Sequence, residues 1–187
     1  MPAAHHPRIQ HAVRHLQAGG VLAYPTEAVW GLGCCLDDED AVRHLLSLKQ
    51  RPVHKGLILV SGNRAHFDFL LAQCSDEQRQ RMFATWPGPN TWLVPHHQLV
   101  PAWISGRHSS VAIRVSDHPI INALSAALGG PLVSTSANPQ GLPPARTALR
   151  SRGYFGSQVH YCIGAVGKSN NPSQIRDLIS GQIVRPG

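Results

Sequence analysis

Features that would place a protein in a membrane, secreted or repeat class are missing from this sequence of 187 residues. No apolar run approaches the ~20 residues that a membrane-spanning helix needs. Residues 1–8 contain no apolar core, so they do not resemble a secretory signal peptide. Neither an internal repeat nor a linker interrupts the chain. We therefore expect a single domain in the cytoplasm, with no membrane segment.

Metal-ligand and disulfide patterns are also missing. The four cysteines are Cys34, Cys35, Cys74 and Cys162. Their spacing fits neither a zinc site nor a disulfide framework, which predicts reduced thiols. The histidines form no His-Glu-x-x-His motif, and adjacent pairs such as His96-His97 point in different directions on a helix or strand. The residues alone therefore predict no metal held by the protein.

Acidic residues are few. The chain has 10 Asp and Glu against 17 Lys and Arg, which gives a formal net charge of +7. A basic cytoplasmic protein often meets the phosphate groups of nucleotides, RNA or DNA. The charge favours such partners as a class and does not choose among them.

Short apolar runs alternate with segments of helical periodicity, which predicts an α/β fold. We expect one domain, residues 9–187, with a twisted mixed sheet flanked by helices, after a flexible N-terminus of residues 1–8. The predicted strands cover residues 21–25, 57–60, 92–94, 111–115, 132–135, 159–163 and 183–184. The predicted helices cover residues 9–16, 38–49, 67–73, 75–85 and 119–128. The predicted loops cover residues 104–109 and 139–153, and the second loop is expected to be mobile.

The stretch from Tyr24 to Gly33 places polar residues and glycines at a strand end. Pro25 ends the predicted first strand because proline has no N–H to donate. Thr26 and Glu27 follow, and two glycines come after them. Strand ends that open into glycine-containing turns are common ligand sites in α/β proteins, since glycine lets the backbone approach a bound group. A plain strand-to-loop transition explains the same pattern, and the residues alone leave both interpretations open.

Three further segments place polar side chains where a ligand could meet them. Lys49 and Arg51 flank a helix end, where they could clamp a phosphate or simply stabilise the helix C-terminus. Arg114 lies within a predicted strand between apolar neighbours, so it needs an anion from the protein or from a ligand. The run 134–138 offers hydroxyls and an amide that could bind a carboxylate, a phosphate or a base edge. A helix cap or a turn would use the same residue types.

Taken in order, these segments resemble the YrdC-domain family. The motifs that carry the resemblance are Tyr24–Glu27 with Gly31–Gly33, Lys49–Pro52 with Lys55–Leu57, Trp86–Pro89 with Thr91, Val111–Val115 with His118–Pro119, and Ser134–Asn138. The resemblance runs from about residue 9 to the last glycine, and the length is similar to that of single-domain bacterial members. It implies a twisted α/β sheet around a deep, basic cleft. The positions that depart from the family pattern are Ala28, Trp30 and Ser116.

The resemblance implies an enzyme, the nucleotidyltransferase threonylcarbamoyl-AMP synthase. Such an enzyme joins L-threonine, bicarbonate and ATP and releases pyrophosphate. Its product would serve N6-threonylcarbamoyladenosine formation in tRNAs that read ANN codons, together with the transfer proteins TsaB, TsaD and TsaE. Mg²⁺ would accompany ATP, held mainly by phosphates and water. The reaction needs positioning and charge stabilisation rather than a side-chain nucleophile.

Site residues follow from the same resemblance. The residues implied to bind L-threonine are Thr26, Arg114, Ser134 and Ser173. The residues implied to bind ATP are Lys49, Arg51, Ser136, Asn138, Arg146 and Arg185. Among these, Lys49 and Arg51 are expected to act on the phosphates during catalysis. His54 or Lys55 is a further candidate for the threonine side, and Glu27 stays unassigned between a structural and a catalytic role.

Two other functions remain open at this point. One is a non-catalytic protein that binds double-stranded RNA or tRNA through its cleft, which the net charge of +7 favours. No aromatic stacking platform or RNA-binding signature accompanies that charge. The other is a carbamoyl-transfer role, as in larger hydrogenase-maturation proteins that contain a similar domain. The zinc-finger-like and acylphosphatase-like regions of those proteins are missing from this sequence.

Overall fold

A computed structural model describes residues 3–169 and 171–187. The helices are α1 Pro7–Gln17, α2 Glu39–Lys49, α3 Asp68–Leu71, α4 Asp76–Phe83, α5 Ala102–Ser105, α6 Pro119–Leu128 and α7 Ala148–Phe155. The strands are β1 Leu22–Pro25, β2 Trp30–Cys35, β3 Ile58–Ser61, β4 Asn90–Pro95, β5 Ser110–Val115, β6 Leu132–Ser136, β7 His160–Tyr161, β8 Gln174–Asp177 and β9 Ile183–Arg185. Of the helices in these residues, none is long and apolar enough to cross a membrane.

The strands of the described residues form one mixed sheet in the order β7-β1-β2-β6-β3-β5-β4-β8-β9. Three neighbouring pairs are parallel, namely β1 with β7, β3 with β5, and β4 with β8. The other pairs are antiparallel. The predicted α/β fold with a mixed sheet flanked by helices is confirmed. Strands β2, β6, β3 and β5 lie side by side, so residues far apart in sequence meet at the centre of the sheet.

Helices cover both faces of the sheet. On one face, α1 and α6 pack over a buried cluster that includes Leu16, Tyr24, Val60 and Leu124. On the other face, α2 packs over a larger cluster that includes the fully buried ring of Trp92. The apolar residues of each helix recur at helical spacing, so each helix presents one apolar face to the sheet.

Local signals in the sequence fix the ends of α1 and α2. The His6 side chain caps α1, which begins at Pro7, so residues 7 and 8 are helical rather than part of the predicted loose N-terminus. Asp38 caps α2 by accepting a hydrogen bond from the Ala41 amide. Gln50 ends α2 in the left-handed conformation, at φ 52°. This turn separates the last helical residue from the chain that follows it.

Gly31 and Gly33 do not form the glycine-containing turn that was expected after Pro25. They lie inside β2, which pairs with both β1 and β6. A Cβ atom on Gly33 would lie 2.6 Å from the Val133 carbonyl oxygen and 2.9 Å from the Tyr24 ring. The glycines therefore let a bulky ring and a neighbouring strand pack against the backbone of β2.

Besides β2, three further elements were missed in the sequence. The loop expected at 104–109 begins with the last residues of α5, which is a single turn and too short to show periodicity. The mobile loop expected at 139–153 contains most of α7, in which two arginines, a serine and a glycine interrupt the apolar residues although Phe155 is buried. Strand β8 carries no alternation of apolar and polar residues. Tertiary contacts, rather than the local pattern, form these segments.

Gly33→Ala is expected to destabilise the fold by about 2 kcal/mol, because the added methyl group has no space between Val133 and Tyr24. Urea unfolding followed by circular dichroism would measure the difference. Gly130→Ala is the matched control, since a Cβ there meets no atom within 4 Å, and its change should stay within about 0.5 kcal/mol. Equal midpoints for the two variants would contradict the close packing of β2.

Candidate functional site

A pocket of about 480 Å³ opens beside the central strands. Its wall includes the chain between β1 and β2, the end of α2, and parts of β5, β6 and β8. The basic side chains among the described lining residues are Lys49, Arg51, Lys55, Arg114 and Arg185, besides His108. The carboxylate in the same lining is Glu27. Such a wall favours an anionic ligand.

Lys49 is 5% exposed and sits where the end of α2 meets the end of β6. Its ammonium group donates to Ser136 Oγ at 3.2 Å, to the Asn138 carbonyl at 2.9 Å and to Asn138 Oδ1 at 3.0 Å. Burial, and secondarily the positive charge of Arg51, lower the pKa of Lys49 to about 8. The three predicted nucleotide-binding residues Lys49, Ser136 and Asn138 therefore form one hydrogen-bonded group.

Arg51 follows the left-handed turn that ends α2. Its Nε and Nη2 atoms donate to the Gly56 carbonyl at 3.1 and 2.9 Å, and Nη2 also donates to the Lys55 carbonyl at 3.1 Å. Burial, and then the like charge of Arg185, lower the pKa of Arg51. The guanidinium is thus fixed against its own loop and forms part of the pocket wall.

Arg114 projects from β5 and pairs with Glu27. Its Nη2 atom lies 3.2 Å from Glu27 Oε2, and the two side chains are 11% and 10% exposed. Glu27 Oε1 accepts a hydrogen bond of 2.5 Å from Ser116 Oγ. A buried arginine needs an anion, and the Glu27 carboxylate supplies it.

Hydroxyl groups line the wall next to this ion pair. Ser134 Oγ accepts a hydrogen bond of 2.7 Å from the Tyr24 hydroxyl, and the Ser173 and Thr91 hydroxyls lie 2.9 Å apart. Thr26 Oγ1 donates to the Val29 carbonyl at 2.8 Å, which leaves its lone pairs for a ligand. The four residues implied to bind threonine all belong to the pocket lining.

The other predicted nucleotide residues differ in position. Arg185, from β9, lies at the pocket wall and donates to the Ser173 carbonyl at 2.7 Å. Asn138 Nδ2 donates to the carbonyls of Pro139 and Leu142, so its amide also holds the chain that follows β6. Arg146 is exposed and is not part of the lining. The structure therefore brings all of the predicted site residues except Arg146 to the pocket.

Sequence reasoning missed the residues that support this site. Tyr24 was noticed only as part of a motif, yet its ring is fully buried and its hydroxyl orients Ser134. Thr91 plays the same part for Ser173. Of the two candidates His54 and Lys55, Lys55 lines the pocket and donates to Gln140 Oε1 at 3.2 Å. The partners in these pairs are many residues apart, so no local pattern could have joined them.

Carboxylates are scarce around the pocket. Within residues 3–169 and 171–187, no group of three or more His, Cys, Asp or Glu side chains could hold a metal ion. Glu27 is already engaged by Ser116 and Arg114. These residues do not build a dedicated metal site from protein oxygen ligands.

Comparison with known proteins fits this pocket and fold. A family model named for Sua5, YciO and YrdC and described as "Telomere recombination" matches residues 14–187. The chain belongs to the Sua5/YciO/YrdC family. The family resemblance carried by the sequence motifs is thereby confirmed.

Relatives within the Sua5/YciO/YrdC family agree in length as well as in sequence. The threonylcarbamoyl-AMP synthase of Pseudomonas putida is 56% identical over 181 residues, which are 96% of this chain and 97% of that protein. The threonylcarbamoyl-AMP synthase of Stutzerimonas stutzeri is 57% identical over 180 residues, with coverages of 96% and 97%.

A solved member of the Sua5/YciO/YrdC family extends the comparison to structure. The crystal structure of P. abyssi Sua5 complexed with L-threonine superposes with a TM-score of 0.82 at 29% identity. The match covers 90% of this chain and 50% of that one, so this chain spans about half the length of that Sua5 protein.

Proposed function

We propose that this member of the Sua5/YciO/YrdC family is a threonylcarbamoyl-AMP synthase. It forms L-threonylcarbamoyladenylate from L-threonine, bicarbonate and ATP and releases pyrophosphate. Close relatives of nearly equal length carry that name. The observation that carries the proposal is the convergence of Lys49, Arg51, Arg114 and Arg185 on one pocket beside a wall of hydroxyls. These groups suit a substrate carboxylate and a chain of phosphates.

The proposed reaction has two bond-forming stages. The threonine nitrogen attacks the carbon of bicarbonate, a C–N bond forms, and water leaves to give a carbamate. A carbamate oxygen then attacks the α-phosphorus of ATP, and the bond from that phosphorus to the β-phosphate bridging oxygen breaks. Pyrophosphate departs with the electron pair. The protein contributes orientation and charge stabilisation, which suffice for such a transfer.

Each part of the pocket has a place in this reaction. Arg114 binds the threonine carboxylate, while the hydroxyls of Thr26, Ser134 and Ser173 surround the amino acid. Lys49 and Arg51 act on the phosphates, where they stabilise the charge that develops on the departing pyrophosphate. To reach a phosphate oxygen, the Lys49 ammonium exchanges one of its three present acceptors. The remaining nucleotide contacts are assigned to Ser136, Asn138 and Arg185, which line the pocket. A contact from Arg146, which lies outside the lining, stays a prediction.

ATP is proposed to enter as its magnesium complex. Mg²⁺ keeps much of its water shell and binds phosphates readily. The engaged state of Glu27 supports a metal held by phosphates and water rather than by this carboxylate. We further propose that the reaction takes place in the cytoplasm and that the product passes to the TsaB, TsaD and TsaE proteins for N6-threonylcarbamoyladenosine formation on tRNAs reading ANN codons.

An assay with purified protein tests the function. Pyrophosphate should form from MgATP only when both L-threonine and bicarbonate are present, and a threonylcarbamoyl adenylate should be detected by mass spectrometry. Omission of either co-substrate is the matched control. Tight, salt-sensitive binding of tRNA without turnover would contradict the proposal and favour the RNA-binding alternative.

The pKa of Lys49 predicts the alkaline limb of activity. Because burial lowers this pKa to about 8, the ammonium loses its proton as the pH rises through 8. The kcat/KM for ATP, measured at saturating threonine and bicarbonate, should therefore fall above pH 8. Bound phosphates favour the charged form, so the limb in kcat should move to higher pH. In Lys49→Arg the limb should disappear, and a limb that persists there would assign it to another group.

A further inference from the structure

Glu27 lines the pocket, but both of its carboxylate oxygens face the protein. Oε1 accepts the hydrogen bond from Ser116 Oγ, and Oε2 lies against Arg114 Nη2. Oε2 is shielded from solvent and accepts no hydrogen bond from the described residues. A substrate atom could reach these oxygens only by displacing the side chains that hold them. The contacts therefore point to an action on the protein rather than on the substrate.

The backbone of Glu27 is fixed as firmly as its side chain. The Ser169 amide donates to the Glu27 carbonyl at 3.0 Å, and the Gly167 amide donates to the Thr26 carbonyl at 2.9 Å. A Cβ atom on Gly167 would lie 2.7 Å from the Glu27 carbonyl oxygen, so this segment packs directly on residue 27. Ser116 is itself held, since its Oγ accepts from the His118 amide at 3.0 Å. Glu27 is thus held both at its backbone and at its carboxylate.

Arg114 needs such a partner. It stands in a wall of several cations, and its charge is close enough to Arg185 to contribute, after burial, to the lowered pKa of that residue. A guanidinium that is 11% exposed beside a like charge would turn away from the pocket if nothing opposed the repulsion. Glu27 supplies the opposing charge on the side away from solvent.

The pairing still leaves Arg114 able to bind a ligand. Nη2 is the guanidinium atom that meets Glu27. Nε and Nη1 make no hydrogen bond with the residues that the structure describes. A guanidinium has five N–H donors in a planar fork, so it can keep one carboxylate and still present donors to a second one.

We propose that Glu27, held by Ser116, is a positioning residue that fixes the Arg114 guanidinium for the carboxylate of the amino-acid substrate. The proposal rests on the function proposed above. Specificity for an amino acid is thereby assigned to three residues. Arg114 touches the substrate, and Glu27 and Ser116 act through Arg114.

Steady-state kinetics of Glu27→Gln test this role. The KM for L-threonine should rise about tenfold or more, while the KM for ATP stays within about twofold. Ser116→Ala should raise the threonine KM in the same direction by about threefold, because the carboxylate remains but loses one anchor. Glu39→Gln is the matched control, since it removes one carboxylate from an exposed ion pair with Arg43, and it should leave both KM values unchanged.

Repeating the Glu27→Gln substitution in an Arg114→Ala protein distinguishes a positioning role of Glu27 from general damage to the fold. In an Arg114→Ala protein, adding Glu27→Gln should change the threonine KM no further, because the residue through which Glu27 acts is gone. Thermal unfolding of each variant accompanies the kinetics. If Glu27→Gln does not fold, Ser116→Ala alone and in the Arg114→Ala background carries the same comparison.

The results that would overturn each proposal differ. An unchanged or lower threonine KM in Glu27→Gln, an equal rise in the ATP KM, or an effect that persists without Arg114 would overturn the positioning role. A wild-type chain that forms no pyrophosphate from MgATP, threonine and bicarbonate would overturn the proposed function itself. If the wild type is active and Glu27→Gln leaves the KM for L-threonine unchanged, only the positioning role is overturned.

Discussion

Replacing Arg114 with alanine is expected to raise the KM for L-threonine by about 100-fold, while the KM for ATP changes by less than about threefold. The guanidinium would lose its charge-assisted contact with the threonine carboxylate, which is among the stronger polar contacts in proteins. ATP is assigned to the other cations of the pocket, so its binding should be affected little. Initial rates at varied concentrations of each substrate give the two KM values separately.

The Arg114→Ala variant is also expected to lose stability. Without Arg114, the Glu27 carboxylate is left buried and without its counter-charge, which costs about 3–5 kcal/mol in comparable cases. The double variant Arg114→Ala/Glu27→Gln removes both charges and should recover much of that loss. The high threonine KM should remain in the double variant. A uniform rise in both KM values, or recovery of threonine binding together with stability, would instead make Arg114 a structural residue.

Arg51→Ala is expected to lower kcat/KM for ATP by about 10²–10³-fold, the scale seen when one preorganised donor is removed from a transition state. Its guanidinium is fixed by the carbonyls of Lys55 and Gly56, so it needs little reorganisation when phosphate charge develops. Threonine-dependent pyrophosphate release measures the loss. Near-normal turnover would exclude Arg51 from the phosphate clamp.

Two companion variants make the Arg51 result interpretable. Arg51→Lys keeps the charge but not the planar fork that holds two carbonyls, so its activity should lie between wild type and Arg51→Ala. Arg107→Ala removes an exposed arginine that is not in the pocket lining. Its activity should match wild type, which would show that the loss in Arg51→Ala does not come from lowering the net charge by one.

Some of the fold could be predicted because the signal is local. The buried residues of α1 and α2 recur every three or four positions, and a capping box at Ser75 and Gln78 begins α4 within the helix predicted at residues 75–85. The continuous apolar run at residues 57–60 became most of β3, and the strand predicted at residues 132–135 became most of β6, both at the centre of the sheet. Hydrophobic burial and capping act within a few residues, so the sequence shows them directly.

Other parts of the fold were decided by distant contacts. Residues 31–33 were expected to form a turn, but edge-to-edge pairing with β1 and β6 makes them a central strand. In α7, the run Arg150 to Gly153 interrupts the apolar periodicity, while burial of Phe155 and the Thr147 cap stabilise the helix. Glycine is disfavoured in strands by local preference, so tertiary packing decides the conformation of residues 31–33.

The sequence by itself determined the residue types of the pocket, the order of the motifs and the class of fold. It placed Lys49 and Arg51 at a helix end and Arg114 within a strand, where a charge needs a partner. The tertiary structure alone decided which partners they have, because hydrogen bonds such as Tyr24 to Ser134 and Ser116 to Glu27 join residues 110 and 89 positions apart. Strand order brings such residues together, and no local propensity encodes it. For this reason Glu27, which the sequence left unassigned, acquires its proposed role only from the fold.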